Sequence, residues 1–454
     1  MRSAPYAEEL WPVPDPWETA RAFAGRKHLL FLDSSDRQTE LGRYSYISFD
    51  PIAWFENPRV EFGQADPFAG LTKRYSSRTS ATIPDLPPFQ GGFAGLFGYG
   101  LIHGLERIPR PQFDEFQVPD LAVGLYDWVL AFDHHQNRAW IIAQSEPRLW
   151  GIKRILSNAQ PPVPAYVSGS HVVPATSFPL PGHPDVVSNF SKDAYLEVVR
   201  RAVEYVHAGD CFQVNLSQRL LAPLKESPLD LYGRLRERNP APFGGYFDLG
   251  NFVVASTSPE RFLKVERHMV ETRPIKGTRP RGADENEDRT IIAELSASRK
   301  DRAENIMIVD LLRNDLGRVC EYGSIQVPQV CDVESFRFVH HLVSVVTGKL
   351  HPDCSPIDLL RATFPGGSVT GAPKVRAAEI ISELEPSARG PYCGSLACIG
   401  FNGTVQANIL IRTFTIGKNW IQFPVGGGIV ADSDPEREYE ETLHKAAGML
   451  SALS

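Results

Sequence analysis

The sequence has few cysteines, and they form no recognisable pattern. Its 454 residues include no Cys-x-x-Cys pair and no histidines clustered beside a cysteine; the six cysteines are Cys211, Cys320, Cys331, Cys354, Cys393 and Cys398. A chain of this length can bury a large core without covalent cross-links, so neither a disulfide-rich secreted domain nor a zinc site is indicated. This cysteine usage favours reduced thiols in the cytoplasm.

Also missing are a long apolar run and an excess of positive charge. No stretch approaches the roughly 20 apolar residues that cross a bilayer, and the polar, proline-broken first residues do not form a signal peptide. The formal net charge of −7 argues against a nucleic-acid-binding surface, which is normally basic. We therefore expect a cytoplasmic, globular protein with neither a nucleic-acid nor a membrane partner.

A proline-rich segment divides the chain. We assign residues 1–158 to an N-terminal part of the fold, 159–186 to a linker or surface excursion, and 187–454 to the part that carries the chemistry. The linker AQPPVPAYVSGSHVVPATSFPLP has no helical period. Shortly after it, Ser191 is a good helix N-cap, an apolar stripe follows, and Gly209 ends the predicted helix.

Three glycine-rich segments suggest anion binding. GGFAGLFGYG at 91–100 lacks the Lys-Ser/Thr of a P-loop and is better explained as a strand packed closely against a neighbour. FPGGSVTGAPK at 364–374 opens a predicted helix, and VGGGIVADSD contains glycines 426–428. Backbone N–H groups in such loops can approach an anion, and a carboxylate suits the last two loops better than a nucleotide.

Two predicted helices present carboxylates three residues apart. Ser298 and Asp434 are good N-caps for these helices. The acidic pairs that share one face of each helix are Asp301 with Glu304, and Glu438 with Glu441. Acidic residues near a helix N-terminus also stabilise the helix dipole, and on either helix alone that explanation suffices. If the two pairs converge, they form an oxygen-donor site that suits Mg²⁺.

Lys276 lies in the segment ETRPIKGTRPRG, between Arg273 and Arg279. Only about 0.04% of a free lysine is neutral at pH 7, so a nucleophilic lysine needs a lowered pKa. Nearby cations and burial both lower it. Taken alone, a lysine between two arginines is more often a solvated or anion-binding stretch, and this alternative stays open at the level of the motif.

Taken together and in this order, the motifs resemble those of the chorismate-utilising enzyme family. The similarity runs from GRYSYISFDP through GGFAGLFGY and GDCFQVNLSQR to EREYEETLHK, and it is strongest after residue 190. The family includes anthranilate, isochorismate, salicylate and aminodeoxychorismate synthases. The resemblance implies one large α/β (α+β) unit, in which two mostly antiparallel β-sheets pack at a steep angle with helices outside.

Two positions are similar to the aminodeoxychorismate branch of that family. PIKGT has Lys276, where anthranilate and isochorismate synthases typically have Ala. GDCFQVNL has Gln213, where isochorismate- and salicylate-forming members have a lysine that activates water. A glutamine cannot act as a base, so an external amine is the expected nucleophile. The resemblance thus implies amination of chorismate to 4-amino-4-deoxychorismate, on the route to 4-aminobenzoate and folate.

The family's mechanism implies a role for each matching residue. The implied cofactor is Mg²⁺, held mainly by the first two of four acidic residues: Glu304, Glu441, Asp301 and Glu438. It would grip the ring carboxylate of chorismate as a Lewis acid. Glu260 in SPERF would be the general acid/base for the departing 4-hydroxyl, and Lys276 would form a covalent intermediate at ring carbon 2.

The resemblance also implies a substrate-positioning set. Its members are Gln213, Thr278, His341, Ser368, Thr370, Lys374, Tyr392, Arg412 and the backbone of Gly426, Gly427 and Gly428. A bidentate contact from Arg412 would suit the enolpyruvyl carboxylate. For His341, the alternative is a histidine that is simply packed in the core.

Some family members bind tryptophan in the N-terminal part, as an inhibitor or as a structural ligand. The matching residues here are Ser34, Tyr44, Ser45, Pro242 and Phe243. FLDSS departs from the Leu-Leu-Glu-Ser pattern of feedback-inhibited members. We therefore take these residues as candidates for tryptophan binding and do not expect an allosteric switch.

The ammonia source is not encoded in any motif of this chain. No segment resembles a glutaminase nucleophile loop, so the implied partner is a separate glutamine amidotransferase subunit, with chorismate as the substrate. Two alternatives remain: anthranilate synthase component I, and a non-catalytic amino-acid-binding relative. The joint presence of Glu260, Lys276, Glu304 and Glu441 argues against the second.

Overall fold

A computed structural model describes residues 4–37, 40–76, 80–158 and 172–454. The strands are Tyr6–Glu9 (β1), Leu30–Asp33 (β2), Tyr44–Ser48 (β3), Ala53–Asn57 (β4), Gly92–Phe97 (β5), Leu121–Tyr126 (β6), Trp128–Asp133 (β7), Arg138–Ala143 (β8), Phe178–Leu180 (β9), His183–Ser188 (β10), Gln213–Pro223 (β11), Phe243–Asp248 (β12), Val253–Ser258 (β13), Arg261–Glu266 (β14), Met269–Thr272 (β15), Ile275–Pro280 (β16), Gln326–Ser335 (β17), Val339–Lys349 (β18), Gly371–Ala372 (β19), Ser395–Gly400 (β20), Val405–Asn408 (β21), Thr413–Gly417 (β22) and Trp420–Ile429 (β23).

The helices alternate with these strands, mostly in the second half of the chain. They are Pro16–Ala22 (α1), Ala69–Ser76 (α2), Ile102–Leu105 (α3), Glu146–Ser157 (α4), Lys192–His207 (α5), Pro228–Arg238 (α6), Glu285–Ala297 (α7), Arg299–Gly317 (α8), Pro356–Thr363 (α9), Lys374–Leu384 (α10) and Pro435–Ala452 (α11). Short 3₁₀ turns occupy Glu40–Gly42, Tyr99–Leu101 and Gly367–Val369.

The strands form two large antiparallel sheets. The larger sheet has the order β1-β8-β7-β3-β2-β12-β13-β22-β23-β11-β10-β9, with β19 added to β11. The smaller has the order β16-β18-β15-β14-β21-β20-β5-β6-β4, with β17 added to β18. The prediction of two large antiparallel sheets with helices is confirmed.

Apolar side chains from both sheets meet in a shared core. Leu30 and Val254 of the larger sheet belong to the same buried cluster as Leu96 and Cys398 of the smaller sheet. Two further clusters lie under helices, one joining the smaller sheet to α8 and α9 and another joining the larger sheet to α6 and α11. Because each fully buried large apolar side chain contributes about 1.5–3 kcal/mol, these layers hold the sheets in one arrangement.

Local sequence signals explain where the helices begin. The Ser191 side chain accepts a hydrogen bond from the Ala194 amide, and Ser298 accepts one from Asp301, as expected of N-caps. Asp434 caps α11 in the same way, with Pro435 at its first position. These predicted helix starts are confirmed.

The glycines of β5 are explained by close packing. A Cβ atom on Gly92 would lie 2.1 Å from the Ile399 carbonyl oxygen, and one on Gly95 would lie 2.2 Å from that of Ala122. Neighbouring strands on both sides therefore leave no room for a side chain. The interpretation of this segment as a tightly packed strand is confirmed.

The proline-rich segment is described only in part. Residues 159–171 lie outside the described residues, whereas residues further on form β9 and β10 at one edge of the larger sheet. Across the described ranges, every helix is too short or too polar to span a membrane.

Candidate active site

Lys276 lies where the two sheets approach one another. It is on β16, at the edge of the smaller sheet, yet its Nζ donates to Gln213 Oε1 on β11 of the larger sheet at 3.4 Å. The same Nζ donates to the carbonyl oxygen of Ser368 at 3.3 Å. The amine is therefore turned into the space between the sheets, where both of these acceptors are neutral.

Several charged groups act on this amine. Burial lowers the pKa of Lys276, the carboxylates of Glu304, Glu260 and Glu441 raise it, and the Lys445 cation lowers it, with a net decrease. The charges of Glu304 on α8 and Glu441 on α11 thus both act on this amine, and they also act on each other.

Glu260 follows β13 and is only 5% exposed. Ser368 Oγ donates to its Oε1 at 2.6 Å. Burial raises the pKa of Glu260 to about 7, although the Ser368 hydroxyl, the Lys276 cation and the Ile275 backbone N–H favour the ionised form. A carboxyl group poised near neutral pH suits a general acid that becomes a base later in the reaction.

The four candidate metal ligands are engaged by nearby groups in different ways. Asp301 accepts from Arg279 at 2.9 Å, and Glu441 pairs with Lys445 at 2.7 Å. Glu438 accepts from Ser433 Oγ at 2.7 Å. Burial raises the pKa of Glu304. The cations of Lys276 and Lys300 lower this pKa, and the like charges of Asp301 and Glu441 raise it further.

These carboxylates fit Mg²⁺ in charge and in donor type. A Cβ atom on Gly427 would lie 3.2 Å from Glu438 Oε2 and 3.5 Å from Glu441 Oε1, so the absence of a side chain there keeps the space beside both carboxylates open. Mg²⁺ commonly takes one or two protein carboxylates and completes its shell with substrate oxygens and water. In the described part of the chain, no group of three or more His, Cys, Asp or Glu side chains is gathered to hold a metal ion alone.

His341, Thr278 and Arg412 form a second group beside Lys276. Thr278 faces His341 across the β16–β18 ladder, with Thr278 Oγ1 2.9 Å from His341 Nδ1. Burial, followed by the Arg412 and His340 charges, lowers the pKa of His341 to about 3, so its ring is neutral at pH 7. The neutral ring can donate or accept one hydrogen bond at Nε2 without carrying charge.

Arg412 precedes β22 and has a left-handed backbone, with φ of 50°. Its carbonyl accepts from the Thr257 amide and hydroxyl. Burial lowers the pKa of the guanidinium, and no carboxylate among the described residues pairs with it. A half-buried arginine without a protein counter-ion is suited to an anionic ligand.

The structure gives Lys374 a partner that the sequence did not reveal. Its Nζ donates to Asp315 Oδ2 of α8 and to the Thr363 carbonyl, both at 2.6 Å. This ammonium is therefore committed to a buried ion pair between α8 and α10. The predicted role of Lys374 in substrate positioning stays a prediction.

Thr370 and Tyr392 are both buried beside this loop. Thr370 is fully buried, and its Oγ1 donates to the Gly366 carbonyl at 2.9 Å. Tyr392 is 4% exposed, with burial raising the pKa of its phenol. Thr370 is part of the loop that carries Ser368, and Tyr392 belongs to the same buried cluster as Val369 of that loop.

The three glycines 426–428 belong to β23. They pair with Ser217, Leu216 and Asn215 of β11, whereas β22 reaches only residues 420–422 of β23. On the side opposite β11, the described residues supply no strand against the glycines. Gly426 and Gly427 are nevertheless buried, and the Gly426 carbonyl accepts from Lys445, so anion binding by this backbone stays a prediction.

The five candidate tryptophan-binding residues are brought together. Ser34 Oγ donates to the carbonyls of Tyr44 and Pro242, at 2.7 and 2.9 Å, and the Ser34 amide donates to Ser45 Oγ at 3.0 Å. Phe243 follows Pro242 and begins β12. The cluster lies on the larger sheet, and tryptophan binding stays a prediction.

Two contributions to the site were missed in the sequence. Lys445 lies one turn after Glu441 on α11 and donates to the Gly426 carbonyl at 2.9 Å; its i, i+4 spacing from Glu441 was a readable signal. The carbonyl of Ser368 that faces Lys276 had no such signal, because any residue type supplies a carbonyl.

Comparisons with known proteins agree with this geometry. The family model described as chorismate binding enzyme matches residues 27–451. Anthranilate synthase component 1 of Thermus thermophilus is 44% identical over 89% of this chain and 86% of its own. Aminodeoxychorismate synthase component 1 of Salmonella typhimurium is also 44% identical, over 96% of this chain and 97% of its own.

A solved structure has the same fold. Anthranilate synthase component I from Streptococcus pneumoniae superposes with a TM-score of 0.77 at 31% identity, covering 91% of this chain and 93% of its own. The region matched by the family model, residues 27–451, includes Lys276 and strands of both sheets. The chain therefore belongs to the chorismate binding enzyme family.

Proposed function

We propose that this family member is an aminodeoxychorismate synthase that adds ammonia-derived nitrogen to carbon 4 of chorismate through a covalent intermediate on Lys276. The observation that carries the proposal is the position of the Lys276 amine. It lies against Gln213 and the Ser368 carbonyl, while the Ser368 hydroxyl binds Glu260. The proposed nucleophile and the proposed general acid thus both contact Ser368.

Three groups would bind the substrate. The guanidinium of Arg412 would bind the enolpyruvyl carboxylate in a bidentate manner. Backbone N–H groups of Gly426–Gly428 would bind a carboxylate on the side of β23 away from β11. The neutral His341 ring would donate a hydrogen bond from Nε2 in the tautomer whose Nδ1 accepts from the Thr278 hydroxyl.

Glu304 and Glu441 would hold Mg²⁺, with Asp301 and Glu438 nearby or bound through water. When bound, the ion would polarise the ring carboxylate of chorismate as a Lewis acid. The four carboxylates would otherwise repel the carboxylates of the substrate, so the same residues that hold the ion also prevent the substrate from binding productively without it.

Lys276 and Glu260 would carry out the substitution in two steps. In the first, the neutral amine forms a bond to ring carbon 2, both conjugated ring double bonds shift around the ring away from carbon 2, and the carbon 4–oxygen bond breaks as Glu260 donates a proton, so that water leaves. In the second, ammonia bonds to carbon 4, both double bonds return to their original positions, and the Lys276 nitrogen leaves with the electrons of its bond to carbon 2. Glu260, now ionised, accepts the proton released by the incoming nitrogen.

Gln213 supports an amine rather than water as the nucleophile. Its Oε1 accepts from Lys276 Nζ, and an amide has no basic site that could deprotonate water. Ammonia would come from a separate glutamine amidotransferase subunit. The designation component 1 in the similar synthases is consistent with a second component.

Product identity tests the proposal. Purified protein is incubated with chorismate, Mg²⁺ and ammonium, and the products are separated by liquid chromatography with mass detection. We expect 4-amino-4-deoxychorismate, which a lyase added afterwards converts to 4-aminobenzoate. Fluorescent anthranilate would instead support the alternative of an anthranilate synthase, to which this chain is equally similar. No consumption of chorismate would favour a non-catalytic relative.

Lys276→Ala tests the covalent step. We expect a large fall in turnover, and in the wild-type protein a chorismate-minus-water adduct on the peptide that contains Lys276 after acid quenching. The matched control is Lys349→Ala, on the adjacent strand β18, where the side chain is 53% exposed and pairs with Glu321. Unchanged turnover in Lys276→Ala would remove covalent catalysis from the mechanism.

A further inference from the structure

A buried ion pair lies behind the loop that carries Ser368. Arg389 is 5% exposed and Glu385, at the end of α10, is 3% exposed. The guanidinium donates to both carboxylate oxygens, at 2.8 and 2.7 Å. Burying two charges costs several kcal/mol per ion unless all their hydrogen bonds are satisfied, so such a pair does not by itself indicate stabilisation.

The remaining hydrogen bonds of this pair join two parts of the active site. Arg389 Nη1 donates to the Val369 carbonyl at 3.0 Å, and Nη2 donates to the Asn215 carbonyl of β11 at 2.7 Å. Glu385 accepts from the amide and the hydroxyl of Ser217, two residues further along β11, at 2.8 and 2.9 Å. The guanidinium also lies 4.7 Å from the centre of the Tyr99 ring.

The segment held in this way is the one that contacts both reacting groups. Ser368 directly precedes Val369; its hydroxyl binds Glu260 at 2.6 Å and its carbonyl faces Lys276 Nζ at 3.3 Å. The backbone N–H of Asn215 donates to the Thr370 carbonyl at 2.9 Å. A displacement of Val369 therefore moves Ser368 relative to Glu260 and Lys276.

We infer that Arg389 and Glu385 form a positioning pair, which fixes the 366–370 loop to β11 so that Ser368 meets the Glu260 carboxyl and the Lys276 amine together. The inference deepens the proposed function, on which it rests for the roles of Glu260 and Lys276. Neither member of the pair touches a reacting group. They act on Glu260 and Lys276 by holding Val369 and, through it, the neighbouring Ser368.

A positioning role and a purely structural role predict different pH profiles. The Ser368 hydroxyl donates to the ionised form of Glu260 and so favours it. The other groups that face this carboxyl are Lys276 of β16, Lys445 of α11, the Ile275 amide and the Cys393 thiol; the charges of Arg389 and Glu385 also act on that thiol, with opposite signs. If the loop shifts, Glu260 loses the hydrogen bond from the Ser368 hydroxyl, and its pKa rises. The alkaline limb of the plot of kcat/KM against pH then moves to higher pH.

The main variant is Glu385→Gln with Arg389→Met, which removes both charges and so leaves no unpaired ion in the core. Because an ångström of misplacement can cost on the order of 100-fold in rate, we expect kcat to fall by about 10- to 100-fold with a smaller change in KM. The alkaline limb is expected to move upward. Arg389→Lys, which keeps the charge but cannot reach both carbonyls, should fall between this variant and the wild type.

The control is another arginine–glutamate pair, whose arginine is a buried residue of β11. Arg219 donates to both oxygens of Glu115 at 2.9 Å, and their side chains are 4% and 13% exposed. Glu115→Gln with Arg219→Met should lower the thermal midpoint comparably and leave the alkaline limb in place.

Activity is followed as chorismate consumption, with product identity measured separately. If the wild-type product is anthranilate, the proposed function fails while the positioning pair is still tested by the limb shift. The positioning role would be overturned if the alkaline limb of the Glu385/Arg389 double variant does not move and its kcat falls no more than that of the Glu115/Arg219 control. If the double variant does not fold, Arg389→Lys decides by the same two measurements.

Discussion

Replacing Ser368 with alanine tests how the protein sets the protonation of Glu260. The hydroxyl of Ser368 donates a 2.6 Å hydrogen bond to a carboxyl group that is 5% exposed, and it favours the ionised form. Burial raises the pKa of Glu260 to about 7, and the hydroxyl opposes that increase. Without it, the carboxyl holds its proton to higher pH.

The size of the effect follows from the strength of that bond. A hydrogen bond to a charged group contributes about 1.5–3 kcal/mol, and roughly 1.4 kcal/mol corresponds to a tenfold change in an equilibrium. Glu260 must be protonated to donate to the departing hydroxyl, so kcat/KM falls as pH rises through its pKa. We therefore expect the alkaline limb to move upward by about one to two pH units.

The assay is the initial rate of chorismate consumption across pH 5 to 10, at subsaturating chorismate and fixed Mg²⁺ and ammonia. The matched control is Ser258→Ala. Ser258 is fully buried and its hydroxyl accepts from the Glu260 amide rather than binding the carboxyl. A limb that stays in place or moves to lower pH in Ser368→Ala would refute the assignment of Glu260 as the acid.

Three further predictions follow from the same contacts. Because burial raises the pKa of Glu260 from 4.5 to about 7, the folded state loses stability between those values as pH rises. Glu260→Gln should then increase the free energy of unfolding at pH 8 by up to roughly 3 kcal/mol, with a higher thermal midpoint, and leave both unchanged at pH 4.5; an equal midpoint at pH 8 would contradict this. Arg412→Gln should raise KM for chorismate by about 10- to 100-fold without lowering the thermal midpoint, since no carboxylate in the part of the chain that the structure describes pairs with the guanidinium. Asp315→Ala should destabilise the protein by about 3–5 kcal/mol in urea unfolding, because Lys374 is left buried without its counter-ion; Asp310→Ala on the exposed side of α8 is the control, and equal effects would refute the argument.

Much of the site was predictable because its residues lie in long motifs. Lys276, Glu260, Glu304 and Glu441 were each assigned from their motif, and the structure brings Glu260, Glu304 and Glu441 within electrostatic reach of Lys276. Helix starts were equally accessible, because Ser298 and Asp434 cap the backbone three residues ahead. Such signals depend only on residues a few positions apart, so they can be read without the tertiary structure.

Contacts between distant segments could not be read in the same way. Ser368 meets Glu260 across 108 residues of sequence and Lys276 across 92. Lys374 stands in a glycine-rich loop that resembles an anion site, yet its ammonium pairs with Asp315, which no motif singled out. The i, i+4 spacing of Glu385 and Arg389 was readable, but the Val369 and Asn215 carbonyls that Arg389 also binds were not, because any residue type supplies a carbonyl.

The sequence by itself determined which chemical groups are available and where the helices begin, since both depend on residue type and on neighbours a few positions away. Only the tertiary structure decided which carboxyl group is buried enough to keep its proton near pH 7, and which cations are already paired. Those properties depend on desolvation and on charges that two separate sheets bring together, and neither is encoded within a single stretch of chain.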